Sequence, residues 1–377
     1  MNNLKKIIFL TGTRADFGKI KPLIETLLPE QDFEVHLFVT GMHLMKEYGY
    51  TLIEIERCNY PNLHTFYNYS DEASMDVTLA NTISGFTKFV ATVKPDLIVI
   101  HGDRVEALAA SIVGSLNNIL VAHIEGGERS GTIDELLRHA TSKLSHLHFV
   151  SNTTAKHRLI QMGETPESVF CIGSPDIDVM FSSSLPELSL AKSYYKIEFQ
   201  DYALALFHPI TTEIQTLERD IDAFVQALIE SDQKYVMVYP NNDHGSKIIL
   251  ERLRVLKGHP NFRIFPSLRF EYFLTLLKNA DFIIGNSSAG VREAPYYGVP
   301  TINVGSRQNQ RALAPSIHNT DPDKNSILST IQSLSEGKYD TSPTEEFGQT
   351  GAAVAFLDVL KGAEVWQTNP QKQFRDL

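Results

Sequence analysis

Three carboxylates stand where short apolar runs end, and acids placed there can move protons. Leu97–Ile100 leads into His101-Gly102-Asp103-Arg104. Leu120–Ala122 leads into His123-Ile124-Glu125-Gly126-Gly127-Glu128, and a helical pattern over Ile133–Leu144 carries Asp134 and Arg138. Open parallel sheets bind ligands beyond the carboxyl ends of their strands. Three acids in that position exceed what solvation needs, and carboxylates sharing a pocket raise one another's pKa, which acid–base chemistry exploits. Asp134 and Arg138 lie four positions apart on one helical face. For that pair alone, a surface ion pair worth roughly a few tenths of a kcal/mol is the simpler account. His101, Asp103, His123 and Glu125 are also metal-ligating types, but no H-E-x-x-H or Cys/His spacing supports a metal centre, and none is expected.

A second chemistry is anion binding. Ile283-Ile284-Gly285-Asn286-Ser287-Ser288-Ala289-Gly290-Val291-Arg292-Glu293 reads as strand, tight turn and helix N-terminus. Such a terminus exposes backbone N–H groups and a positive dipole end, which suits phosphate. Glu293, within the first turn or two, can accept hydrogen bonds from ribose hydroxyls. Ser and Asn also lead as ordinary N-caps, so a purely structural reading stays open. At the other end of the chain, Lys5–Leu10 runs into Thr11-Gly12-Thr13, and a helical pattern (Ile20, Leu23, Ile24, Leu27) follows. That order projects Arg14 and Lys19 beyond a strand end. His208, after Phe207, is placed to meet a diphosphate or a sugar hydroxyl. Arg307 and Arg311 follow another strand and, taken singly, read as solvated cations. Neither G-x-G-x-x-G nor G-x-x-x-x-G-K-[ST] occurs, which disfavours dinucleotide and P-loop readings.

The elements that must position these groups alternate along the whole chain. Apolar runs at Ile7–Leu10, Val35–Val39, Leu97–Ile100, Leu120–Ile124, His148–Val150 and Val169–Ile172 suit strands buried on both faces. Helical patterns such as Val105–Leu116 lie between them. A polar, Ser-rich stretch without clear periodicity, Phe181–Ser193, reads as an interdomain connection, with a hinge expected near Pro175–Ser193. Strand–helix alternation restarts with Tyr202–Phe207, Tyr235–Tyr239, Phe262–Phe265, Phe282–Ile284 and Thr301–Val304, which implies right-handed βαβ units. At 377 residues the chain suits two domains, set at 1–180 and 181–377, with a late helix over Ala352–Leu360 packing back on the first. Hydrophobic residues make up 42% and charged ones 21%, ordinary for a globular protein. A net charge of −11 argues against nucleic acid as partner. No apolar run approaches the roughly 18 residues of a membrane span. The start is too quickly polar for a signal peptide, and only Cys58 and Cys171 occur, so a cytoplasmic location is expected.

Gly12-Thr13-Arg14, His101-Gly102-Asp103-Arg104, His123 to Glu128, Phe207-His208-Pro209 and Asn286 to Glu293 together resemble the UDP-N-acetylglucosamine 2-epimerase family. The ordered motifs run from about residue 5 to 311. The resemblance implies an α/β fold of the GT-B type, two Rossmann-like domains facing each other across a cleft that holds a UDP-sugar. Gly12 to Lys19 and Gly126 to Asp134 are most similar to the hydrolysing branch, which makes N-acetylmannosamine for sialic acid in surface or capsular polysaccharide. The Arg-Pro-Glu and Glu-Ala-Gly-Leu-Arg segments of the non-hydrolysing branch are absent.

By that resemblance Asp103, Glu125 and Asp134 match catalytic acids and Arg138 a substrate-contacting arginine. Arg14, Lys19 and His208 would face the diphosphate. Asn286, Ser287, Ser288 and Gly290 would hold phosphate oxygens, Glu293 the ribose, and Phe273 would line the uracil pocket. No cofactor is implied, UDP is the product, and a homodimer or larger assembly is expected. Alternatives of the same resemblance are hydrolysis of UDP-2,4-diacetamido-2,4,6-trideoxy-glucose and non-hydrolysing epimerisation. A GT-B glycosyltransferase shares the second domain.

Overall fold

A computed structural model describes residues 4–69, 74–309, 311–337 and 340–375. Contacts divide the chain into two compact units: Met1–Glu128, Asp134–Ser182 and Phe347–Leu377 form the first, and Arg129–Ile133 with Ser183–Glu346 the second. The break therefore falls two residues beyond the expected one, and the terminal segment belongs with the first unit.

The first unit is built on seven parallel strands: β1 (Lys5–Thr11), β2 (Phe33–Val39), β3 (Leu63–Thr65), β4 (Leu97–His101), β5 (Leu120–Ile124), β6 (Leu147–Val150) and β7 (Val169–Cys171). Their spatial order is β3-β2-β1-β4-β5-β6-β7. Between them run α1 (Arg14–Leu27), α2 (Leu52–Glu56), α3 (Met75–Val93), α4 (Val105–Leu116), α5 (Ile133–Leu144), α6 (Thr153–Gln161) and α7 (Pro175–Met180). Strand side chains alternate in direction. Ile7 and Phe9 accordingly join a core with Ile20, Leu23 and Ile24 of α1, whereas Ile8 and Leu10 join one with Phe86, Ala107 and Ala110 of α3 and α4. Both faces are covered, so the strands read as unbroken apolar runs.

The second unit opens with α8 (Leu188–Tyr195) and has six parallel strands: β8 (Ala203–Leu206), β9 (Tyr235–Val238), β10 (Phe262–Phe265), β11 (Ile283–Gly285), β12 (Thr301–Val304) and β13 (Ile317–Thr320). Their order is β10-β9-β8-β11-β12-β13. The helices are α9 (Leu217–Glu230), α10 (Ser246–Leu253), α11 (Phe270–Lys278) and α12 (Lys324–Ser335). The chain ends with α13 (Ala352–Lys361), whose Phe356 and Leu360 lie in the first unit's core beside Phe9 and α1.

Two strands escape the sequence pattern, and both are sheet edges. β3 (Leu-His-Thr) and β13 (Ile-His-Asn-Thr) are partly solvated, so they carry no apolar run to betray them. The stretch read as an irregular connector is irregular only up to residue 187: α7 ends just before it at Met180, and α8 takes over from Leu188. α5, which bears Asp134 and Arg138, is fixed at its far end by the terminal segment. The Lys372 ammonium donates to the carbonyls of Lys143 (3.0 Å) and Ser145 (2.7 Å) and pairs with the buried Glu164 carboxylate at 2.6 Å. A cation suits the exposed carbonyls of a helix C-terminus.

Candidate active site

β4 and β5 end side by side, which brings the His101–Asp103 and Glu125 loops together. His123, fully buried on β5, ties them. Its Nε2–H donates to the Gly102 carbonyl at 2.7 Å and its Nδ1 accepts from the Ser142 hydroxyl of α5 at 3.0 Å. Burial holds this ring neutral, down to about 3, despite the bond to Gly102. With both nitrogens engaged on protein groups, His123 is a splint rather than a metal ligand. Among the described residues no group of three His, Cys, Asp or Glu side chains is placed to hold a metal ion.

Arg138, four residues past Asp134 on α5, is buried. One nitrogen donates to the Glu125 carbonyl at 2.6 Å and another to the Asp103 carboxylate. The Glu125 carboxylate is 3.8 Å from the same guanidinium, 3.0 Å from Lys19 Nζ and 3.3 Å from His101 Nε2. Glu125 also holds a left-handed backbone (φ +65°), unusual for a side-chain-bearing residue and costing roughly 1 kcal/mol. Asp103 and Asp134 remain half-buried, the latter in the first turn of α5.

Lys19 lies among the acids. It is 6% exposed, and its ammonium lies between Glu125, at 3.0 Å, and Asp176 Oδ2, at 3.4 Å. Asp176 went unassigned in the sequence, although the signal was present: Gly173-Ser174-Pro175-Asp176 also follows a strand end. The turn after β1 is closed by its own residues. Gly12 and Thr13 N–H groups both donate to Asp16 Oδ2 at 3.0 Å, and Asp16 N–H donates to Thr13 Oγ1 at 3.2 Å. This reciprocal cap engages the backbone donors, and the adjacent Arg14 side chain is half-buried. Behind it, His43 bonds Thr11 and Thr51 at 2.9 and 2.8 Å, and burial followed by the Arg14 charge holds it down to about 3.

His43 and His123 give the fold an acid sensitivity of defined sign. Both are neutral when folded, yet free histidine takes a proton below about 6.5. Unfolding therefore binds protons, so their stability contribution is complete above about 6.5 and is lost as pH falls toward about 3. Thermal melts should show Tm falling steadily from pH 7 to 4 (a range set by that ordinary histidine value), and His123→Gln should flatten the slope. An unchanged slope in that variant would contradict the assignment.

In the second unit, Gly285 ends β11 against β8. A Cβ there would sit 1.8 Å from the Leu206 carbonyl oxygen, and the backbone is at φ +130°. Asn286, fully buried, brackets His208: its Oδ1 accepts from His208 N–H at 2.6 Å, and its Nδ2 donates to the His208 carbonyl at 2.9 Å. Asn286 thus positions His208. His208 Nδ1 accepts from Asn241 N–H at 3.0 Å, so the neutral ring carries its proton on Nε2, a donor suited to an anion. Arg307 and Gln308 side chains both donate to the Asn286 carbonyl at 3.1 Å.

The expected α-helix after Asn286 is absent. Two single 3₁₀ turns, Ser288–Gly290 and Ala294–Tyr297, replace it. Pro295 lacks the N–H that an α-helix would donate to Val291, and its ring would crowd that carbonyl. The macrodipole argument weakens accordingly, and local groups decide. Gly290 N–H donates to the Ser287 carbonyl at 3.2 Å, and a Cβ there would be 2.7 Å from Thr301, so Gly290 is a packing glycine. The Ser287 and Ser288 side chains are half-buried. Glu293 (4% exposed) and Phe273 (5%) are buried, Phe273 on the apolar face of α11.

Taken separately, the first unit gathers acids around the basic side chains of Lys19 and Arg138, fit for proton transfer, and the second presents hydroxyls and a histidine donor, fit for an anion. The chain matches the UDP-N-acetylglucosamine 2-epimerase family over residues 25–361. It is 46% identical to UDP-N-acetylglucosamine 2-epimerase of Neisseria meningitidis serogroup B, over 99% of this chain and 100% of that one. It is 34% identical to UDP-N,N'-diacetylbacillosamine 2-epimerase (hydrolyzing) of Legionella pneumophila, over 87% and 88%. Its fold is similar to the Methanocaldococcus jannaschii UDP-GlcNAc 2-epimerase in complex with UDP-GlcNAc and UDP, with TM-score 0.77 and 21% identity over 94% and 99%. On these grounds the chain, an α/β protein of the GT-B type, belongs to the UDP-N-acetylglucosamine 2-epimerase family.

Proposed function

We propose that the chain hydrolyses UDP-N-acetylglucosamine with inversion at C2, giving UDP and N-acetylmannosamine for sialic-acid synthesis in the cytoplasm, as a homodimer or larger assembly. The observation that carries this reading is the gathering of Asp103 and Glu125 on one buried arginine, with Lys19 and His101 beside them. The name of the 46%-identical relative supports the sugar nucleotide, and that of the Legionella relative supports hydrolysis.

The C2 proton is not next to a carbonyl, so its removal first would be very unfavourable. The C1–O bond breaks early instead, and UDP leaves with the electron pair. In the second unit His208, Ser287 and Ser288 hold its diphosphate; Asn286 and Gly290 shape that turn, Glu293 meets the ribose, and Phe273 backs the uracil. A carboxylate takes the C2 proton, leaving 2-acetamidoglucal. Water then adds hydroxyl at C1 while an acid returns a proton to the opposite face of C2. Inversion needs proton-transfer groups on two faces, which Asp103, Glu125 and Asp134 supply with Lys19 and Arg138 balancing charge.

In heavy water the N-acetylmannosamine formed should carry deuterium at C2, read by NMR. Unlabelled product would refute the elimination, and UDP-N-acetylmannosamine in place of free UDP would refute hydrolysis. The Legionella similarity favours one second reading, the diacetamido-trideoxy nucleotide, which side-by-side turnover of both substrates separates.

A further inference from the structure

We propose that Glu125 is the carboxylate that takes the C2 proton and that Asp176 is its positioning residue, acting through the ammonium of Lys19 that the two carboxylates share; this rests on the reading above. Asp176 is 2% exposed, and its Oδ2 lies 3.4 Å from Lys19 Nζ, while Glu125 Oε1 lies 3.0 Å from the same atom. The groups facing Glu125 come from several elements: Lys19 from α1, His101 at the end of β4, and Arg138 from α5, which also binds Asp103.

A cation divided between two acids neutralises each less than a cation held by one alone. Asp176 therefore lets Lys19 fix the Glu125 carboxylate in place without removing the basicity that taking a C2 proton requires. The geometry of α7 supports this task. Two residues on, Asp178 caps the N-terminus of α13, accepting from the N–H groups of Gly351 (2.6 Å) and Ala353 (2.8 Å). The short helix is thereby anchored on one side to the terminal segment and on the other, through Asp176, to Lys19. A carboxylate so placed, buried and aimed at an ammonium that already has a partner, exceeds what holding α7 alone requires.

Asp176→Asn is nearly isosteric and removes one of the two carboxylate charges beside Lys19, leaving that of Glu125 at 3.0 Å. The pH profile of kcat should then show a plateau lowered about tenfold and an acid limb moved about one unit toward lower pH, with KM within about twofold. A purely structural role would lower kcat equally at every pH and leave the limb in place; that result, or a plateau within about twofold of wild type, overturns the proposal. Asp176→Glu keeps the charge and should hold the limb where it is while recovering most of the plateau. It decides the matter if the asparagine variant does not fold, since a limb displaced in Asp176→Glu also overturns the proposal. Carbon-13 NMR of glutamate-labelled protein, with Glu125 assigned by Glu125→Gln, separates this idea from the reaction itself. The Glu125 titration should move to lower pH in Asp176→Asn whether or not UDP-N-acetylglucosamine is consumed, and an unmoved titration sinks the proposal. Failure of the wild-type enzyme to consume that nucleotide would overturn the reaction alone.

Discussion

Asp103→Asn should lower turnover by about a thousandfold while leaving UDP affinity within about threefold. The asparagine keeps nearly the same shape and still offers an oxygen to the Arg138 guanidinium, which holds Asp103 in the folded chain. What disappears is the charge and the capacity to carry a proton at a half-buried position. Loss of one well-placed proton-transfer group costs roughly a hundredfold to ten-thousandfold. Arg138 would lose the charged partner that Asp103 provides while Glu125 stays at 3.8 Å, so a modest fall in Tm should accompany the loss. The nucleotide-holding groups named above belong to other elements, and a binding isotherm for UDP reads them separately from rate. Wild-type turnover in the variant would remove Asp103 from the chemistry.

Gly285→Ala should destabilise the second unit by about 3 kcal/mol or more. An added Cβ would lie 1.8 Å from the Leu206 carbonyl oxygen, in a backbone at φ +130° that side-chain-bearing residues rarely adopt. That oxygen is not free to retreat, because it accepts the Asn286 N–H at 3.0 Å in the ladder joining β8 and β11. Displacing it would also move Asn286, whose amide brackets His208. Calorimetry should show the affected transition shifted down by about 6–12 °C, with activity reduced at temperatures where the fold persists. Gly305→Ala is the matched control. Its backbone is also left-handed (φ +78°), yet nothing lies within 4 Å of the new Cβ, so the cost should be about 1 kcal/mol. Equal losses for the two variants would show that backbone conformation, not the contact with Leu206, governs the site.

Much of the architecture was legible because its cause is local. A strand buried on both faces must be apolar throughout, and β1, β2, β4, β5 and β6 announce themselves that way. Edge strands escape that requirement, so β3 and β13 were silent. Pro295 was visible all along, but its consequence, two 3₁₀ turns in place of an α-helix, depends on how the chain packs Gly290 against Thr301. The acids were legible as strand-end residues, since the sheet itself dictates that position.

By itself, the sequence determined the kind of protein: alternating apolar runs and amphipathic stretches, acids at strand ends, and motifs running nearly the length of the chain. Only the tertiary structure decided which charges are partners. Lys19 and Glu125 are 106 positions apart, and Asp103 and Arg138 are 35 apart, so no periodicity relates them. Their pairing arises where parallel strands bring distant loops to one edge of a sheet, and burial there makes each charge depend on its neighbour.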